Sequence, residues 1–269
     1  MPLTSYRYPN EQWILAGTVL LVLSILAVIA SATFCLVIPL FFMFVGLSFW
    51  MNRTQHQALL QSGFPVSPQR TPNMARILQV CQKRLHPGAV QVFIVRSNDL
   101  NAYTFGVTSP KVIVVYSSVL EVMDEDELRF ILGHEMGHVA LGHSALNTLL
   151  GGMAGVPVNL AAAVVLILAF RGWNRSCEYS ADRAGLLACG KPNKAISALV
   201  KLVAGDIRTN AEFQRALQLI EQEDDSVSNL LAESLSTHPM IVKRIQQIKD
   251  YAASPEYLRL QAQVSAAKF

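Results

Sequence analysis

His134-Glu135-Met136-Gly137-His138 sets two imidazoles and a carboxylate at the spacing on which the fold and chemistry of the chain turn. On a helix, positions i and i+4 lie on one face, so both rings can reach one ion. Glu135 then projects beside them toward the open coordination position, which in a hydrolase holds water. That geometry points to zinc-assisted hydrolysis, with peptide bonds as the leading substrate. The flanking sequence supports a helix. Asp124 stands three residues before Glu127, a capping-box pair that starts a helix near Glu125. Leu128, Ile131, Leu132, Met136, Val139 and Ala140 give it an apolar stripe, placing both histidines on a buried or half-buried helix. A lone histidine there is usually a hydrogen-bonded core residue, whereas two at this spacing with Glu between them favour a metal.

A catalytic zinc takes three protein ligands and keeps a fourth position for water, so a third ligand should lie downstream. In Cys177-Glu178-Tyr179-Ser180-Ala181-Asp182-Arg183, read as helix, Glu178 and Asp182 again share a face. Glu178 would complete a His134, His138, Glu178 site for one Zn2+ per chain. Asp182, one turn on, would accept the second ring N–H of a zinc-bound histidine and so fix its tautomer. Alone, the pair would read as an exposed carboxylate row facing Arg175 or Arg183; the upstream histidines tip it to metal. His143 falls about 140° further round the helix than His138 and reads as structural.

Four segments, taken together, resemble the HtpX-like and CAAX-prenyl-protease-like membrane zinc metallopeptidases. They are Asn101-Ala102-Tyr103, His134 to His138, Glu178 to Asp182, and Thr237-His238-Pro239 followed by Arg244-Ile245. The resemblance implies a zincin-like domain acting on protein or peptide substrates, Glu135 as general base, and a role in membrane or protein quality control. It also implies that Asn101, Ala102 and Tyr103 lie at an edge strand that receives substrate, and that His238 and Arg244 help stabilise the oxyanion. On local pattern alone, Asn101 makes a turn with Asn98 and Asp99, and His238 simply begins a helix.

Composition independently indicates a membrane. Hydrophobic residues make up 52% of the chain and charged residues 15%, with mean hydropathy +0.33. From Trp13 to Met51 there is no charged residue, a run about twice the ~20 needed for one helical crossing. It divides around Ala30-Ser31-Ala32-Thr33 into two spans, a hairpin with Trp13 and Trp50 at the same interface. Arg7, Arg53, Arg70, Arg76, Lys83 and Arg84 flank its ends and the turn is uncharged, so both ends and the catalytic domain should face the cytoplasm. A cleaved signal peptide ending at Ala30-Ser31-Ala32 is the competing possibility, and the second apolar run opposes it. A metal transporter or sensor would need ionisable residues within Trp13 to Met51, and there are none. Net charge of +3 is too small to indicate nucleic acid. Cys35, Cys81, Cys177 and Cys189 have neither CxxC spacing nor a disulfide pattern, and Cys177 reads as packing.

The metal site also constrains topology. Residues 144–170 carry no charge and are long enough for one crossing, yet His138 precedes them and Glu178 follows. A single crossing would place these ligands of one ion on opposite sides, so the segment must return. Gly151, Gly152, Gly155 and Pro157 supply a break between two helical arms. Upstream, Pro72 opens a helix ending near His86. Ala89 to Val95, Asn101 to Phe105 and Lys111 to Tyr116 read as strands. Downstream, helices are expected over Pro192 to Val203, Asn210 to Glu223, Ser226 to Leu235 and Pro239 to Ala252.

The expected fold is thus α+β, mainly helical, with a small β-sheet beside the helix of His134 and His138. Residues 1–12 form a tail, 13–51 two transmembrane helices, 52–72 a linker, 73–252 the zinc metallopeptidase domain with its apolar insert at 144–170, and 253–269 a tail. The expected function is that of an integral membrane zinc endopeptidase whose partners are the lipid bilayer and a protein or peptide substrate. The alternative, a catalytically silent zinc-binding scaffold, has no need of Glu135.

Overall fold

The computed structural model describes residues 6–32, 37–106, 109–146, 161–205, 209–223 and 241–266. Two apolar helices come first, α1 (Glu11–Ala32) and α2 (Val37–Ser62). Helix α2 continues past Met51 through Arg53, so the first half of the expected linker is helical. Strand β1 (Phe64–Pro65), helix α3 (Pro72–Leu85), and strands β2 (Val90–Val95), β3 (Ala102–Phe105) and β4 (Lys111–Tyr116) follow. The remaining described elements are helices: α4 (Ser117–Val122), α5 (Glu125–Ala140), α6 (Ala161–Cys189), α7 (Pro192–Ala204), α8 (Asn210–Glu223), α9 (Ile241–Ala252) and α10 (Pro255–Ala266). The chain is mainly helical with a small mixed sheet.

The sheet runs β1-β2-β4-β3, with β2 and β4 parallel and the two outer strands antiparallel to their neighbours. Alternation sorts the side chains: Val92, Ile113 and Val115 join the main core, while Phe93, Val112, Val114 and Phe105 form a second cluster on the opposite face. Strand β3 is an edge, paired to β4 from Ala102↔Val115 to Phe105↔Val112. Asn101 sits just before it, its carbonyl accepting Tyr116 N–H at 3.0 Å.

Helix α5 begins where the capping pair predicts. Asp124 Oδ1 accepts the N–H groups of Asp126 and Glu127, each at 3.0 Å, and Glu127 returns Oε2 to the Asp124 N–H at 2.8 Å. Glu127 is itself buried and is neutralised by Lys201 at 2.8 Å, with Ser197 donating at 2.7 Å. Helix α5 then lies against α6 through small residues. A Cβ at Gly133 would stand 2.4 Å from Ala188 Cβ, one at Gly137 2.7 Å from Ala184 Cβ, and one at Gly185 2.7 Å from Phe130 O. Only hydrogen fits at these three positions, which lets the two backbones approach until ligands from one helix meet those from the other.

Helix α6 is unbroken from Ala161 to Cys189, so the end of the apolar insert and Glu178 share one helix. The glycines and proline expected at the break, Gly151, Gly152, Gly155 and Pro157, lie outside the described residues. Phe170, Trp173 and Cys177 on α6 bury against Ile14, Leu15 and Val22 of α1 and against Leu146.

Both stretches read as tails are packed. Tyr6 is 1% exposed within the main core, Tyr8 N–H donates to Ser180 Oγ at 2.7 Å, and Arg7 donates to Leu141 O at 3.0 Å. At the other end, helix α10 buries Tyr257, Leu260 and Val264 at i, i+3 and i+7, an amphipathic spacing short enough to pass for a tail. Between Ser226 and Leu235 the expected helix lies outside the described residues.

Candidate metal centre

Three side chains from two helices converge on one point. His134 Nε2 and His138 Nε2 are 3.2 Å apart, Glu178 Oε2 is 3.5 Å from the first, and Glu178 Oε1 is 3.4 Å from the second. Zinc bonds of 2.0–2.1 Å at tetrahedral angles put neighbouring ligand atoms about 3.3 Å apart. The triangle therefore has the dimensions of one face of a zinc tetrahedron. The charges fit as well: Glu135, Glu178 and Asp182 gather around the single guanidinium of Arg244, and one dication brings the set to neutrality.

The second layer is built from α6 and α9. His134 Nδ1 lies 2.9 Å from Asp182 Oδ1, which leaves Nε2 facing the triangle. Arg244, 4% exposed, forks onto Asp182 through Nε to Oδ2 at 2.8 Å and Nη2 to Oδ1 at 2.6 Å. Its Nη1 stands 3.2 Å from Glu178 Oε2. Burial alone would raise both carboxyls, but Arg244 and His134 hold Asp182 below the usual range and Glu178 well below it. Burial pushes His134 down, yet Asp182 and Glu178 lift it to about 10. The ionised carboxylates that favour a cationic His134 would favour a metal cation in the same place.

Glu135 sits beside the triangle and is 7% exposed. Thr104 on β3 donates to its Oε2 at 2.6 Å, a contact the sequence did not single out, although Thr104 shares its strand face with Ala102, two residues away. A cleft of about 350 Å³ opens over these groups. Edge residues Asn101, Ala102 and Tyr103 line one wall, Phe130, Ile131, Leu202 and Val203 give it an apolar floor, and Ile241 and Arg244 close another side. His238 lies outside the described residues. Sequence reading also passed over Glu11, whose only signal was a lone carboxylate at the mouth of an apolar helix; it is 1% exposed.

Two histidines and a glutamate around one point, a carboxylate poised beside them and a cleft along a sheet edge define a metallopeptidase. The chain belongs to peptidase family M48, whose family model matches residues 68–252. It is similar to the plastoglobule-localized metallopeptidase 48 of Arabidopsis thaliana, 29% identical over 72% of this chain and 61% of that protein. It is also similar to a protease HtpX homolog of Thermococcus kodakarensis, 26% identical over 70% of this chain and 76% of the relative. A probable CAAX prenyl protease 1 of Schizosaccharomyces pombe is 28% identical over 80% of this chain and 46% of its own length.

Proposed function

We propose that the chain is a membrane-anchored zinc endopeptidase that cleaves protein or peptide substrates in membrane or protein quality control. His134, His138 and Glu178 would hold the ion. Zinc, when bound, lowers the pKa of its water and polarises the scissile carbonyl. Glu135 would accept a proton from the attacking water on its carboxylate and pass it to the leaving amine. Thr104 pins one carboxylate oxygen, so Glu135 keeps the other free for the transfer. Asp182 fixes the His134 tautomer. Asn101, Ala102 and Tyr103 present an edge on which an extended substrate adds as a further strand. His238 donates to the developing oxyanion. Arg244 has three of its nitrogens committed to Asp182 and Glu178. Its role is therefore first to align those two carboxylates, and to meet the oxyanion only through what the fork leaves over.

The anchor is the hairpin of α1 and α2, with the catalytic domain on the cytoplasmic side. For the first leg of that hairpin, the support is the window Glu11–Val28, the one helical stretch among the described residues long and apolar enough to cross a bilayer, 11% of it buried. Trp13, Leu20, Leu21, Leu23 and Val28 on α1, and Phe42, Met43, Phe49 and Trp50 on α2, are exposed, as lipid-facing side chains would be. The packing of Tyr6, Arg7, Tyr8 and Glu11 on the catalytic domain favours a retained N-terminus over a cleaved signal peptide.

The proximity of Glu135 to the three-ligand triangle carries the proposal. The test is Glu135→Gln in the purified full chain in detergent, assayed on casein with zinc content measured in parallel. Cleavage should fall at least 100-fold with about one zinc per chain retained. Wild-type cleavage by the variant would remove Glu135 from the mechanism.

A further inference from the structure

Behind the metal centre, a chain of hydrogen bonds runs from His138 to the start of α1. His138 turns Nε2 toward His134 and Glu178, and its Nδ1 lies 3.1 Å from His143 Nδ1. His143 is close because α5 ends at Ala140 and the chain turns through Leu141 and Gly142, whose φ of +82° suits glycine. His143 Nε2 lies 3.0 Å from Glu11 Oε1. The same Oε1 pairs with Arg7, and Oε2 accepts the Ser180 hydroxyl. Glu11, His143 and Ser180 are each 1% exposed or less, so these three groups are shielded from bulk solvent.

The protons in this chain are forced. A His138 that gives its Nε2 lone pair to an ion must carry its own proton on Nδ1. Facing it, His143 Nδ1 must accept, so the proton of neutral His143 sits on Nε2 and is donated to Glu11. The opposite arrangement, with a proton on His143 Nδ1, makes His138 accept there and blocks its Nε2 with hydrogen. A carboxylate at Glu11 selects the first arrangement because it can only accept.

We propose that Glu11 and His143 are positioning residues that hold His138 in its metal-binding tautomer, so that docking of the first apolar helix completes the zinc site. This rests on zinc binding at His134, His138 and Glu178. Helix α1 begins at Glu11 and packs on α6 through Ile14, Leu15 and Val22, which places the carboxylate and the helix under one constraint. Glu11, His143 and Cys177 also stand close enough to hold a second ion themselves. Arg7 and Ser180 already occupy the two oxygens of Glu11, so the cluster has its cation and serves as a proton-bonded support.

The experiment compares the full chain in detergent with Glu11→Ala, Glu11→Gln and His143→Phe. Zinc per chain, zinc affinity by chelator competition and the visible spectrum of the cobalt-substituted protein are measured, with thermal melting of each metal-stripped form. Glu11→Ala and His143→Phe should each weaken zinc binding about 10- to 100-fold and alter the cobalt spectrum. The double variant should lose little more than either single, because the two act through one nitrogen. Glu11→Gln keeps a carbonyl acceptor and should lose less. Lys201→Met, which strips buried Glu127 of its nearest cation at the far end of α5, is the control for destabilisation and should leave zinc affinity near wild type. If Glu11→Ala does not fold, His143→Phe carries the same test. Wild-type affinity and spectrum in folded His143→Phe would overturn the proposal, as would two zinc ions per wild-type chain with one lost in Cys177→Ala. If His134→Ala still bound zinc at wild-type affinity, the site itself would be misassigned and the relay would fall with it.

Discussion

Thr104 donates its hydroxyl to Glu135 at 2.6 Å, joining the edge of the sheet to the carboxylate beside the ligand triangle. A substrate strand pairing along β3 would therefore be registered against the proposed general base through one side chain. Thr104→Val removes the donor at nearly constant shape. It should lower kcat about 10- to 100-fold, since a misaimed base loses most of its contribution. Zinc content should not change, and Thr104→Ser should restore most of the rate. Steady-state kinetics on a fluorogenic peptide, with metal analysis, reads all three.

The close approach of α5 and α6 is equally specific. Gly137→Ala places a methyl 2.7 Å from Ala184 Cβ and 3.1 Å from Ala181 Cα, a clash with a neighbouring backbone that cannot swing away. Overpacking of this kind costs about 1–3 kcal/mol. Because the ligands are split between these helices, the separation that relieves the clash also widens the triangle. Gly137→Ala should lower both the melting temperature and zinc affinity. Gly17→Ala on α1, where a Cβ meets nothing within 4 Å, should change neither.

These two contacts mark what the sequence could and could not disclose. Spacing placed His134, His138, Glu178 and Asp182 on helix faces, and the structure brings those faces together, because i and i+4 periodicity is local. The capping pair Asp124 and Glu127 located the start of α5 for the same reason. Thr104 and Glu11 meet their partners across 31 and 132 residues of chain, a distance over which no local pattern operates. The buried N-terminal turn and helix α10 escaped because short amphipathic segments owe their structure to a surface supplied by the rest of the fold. Arg244 was seen, but its two carboxylate partners became visible only when α9 was laid across α6.

Asp182 joins His134 to Arg244, and its removal should separate metal affinity from folding. Asp182→Asn keeps the shape but gives His134 Nδ1 a weaker acceptor and leaves Arg244 a neutral partner. Zinc affinity should fall about 10- to 100-fold. Arg244→Met instead strands the buried Asp182 carboxylate and the half-buried Glu178 carboxylate and should cost about 3–5 kcal/mol of stability. Added zinc should recover some of that loss, since the ion supplies the missing positive charge. Thermal melting with and without zinc distinguishes the two variants.

The cap of α5 gives a pH dependence with a definite sign. Burial works to raise the Asp124 carboxyl, but the Lys194 hydrogen bond and the Glu127 N–H outweigh it and hold the carboxyl below its ordinary value. A depressed folded pKa means stability that is fully present above the unfolded value, about 3.9, and is lost as pH falls through the folded one. Asp124→Ala, which removes the acceptor for Asp126 and Glu127, should cost about 1 kcal/mol at neutral pH. Asp124→Asn keeps an acceptor and loses the Lys194 pair, which solvent already screens, so it should cost only about 0.2–0.5 kcal/mol. The gap in melting temperature between wild type and Asp124→Asn should be constant above about pH 5. Below the unfolded value it should shrink toward zero as wild-type Asp124 itself becomes protonated. A gap that widened on acidification would mean that the carboxylate is not stabilised by the fold.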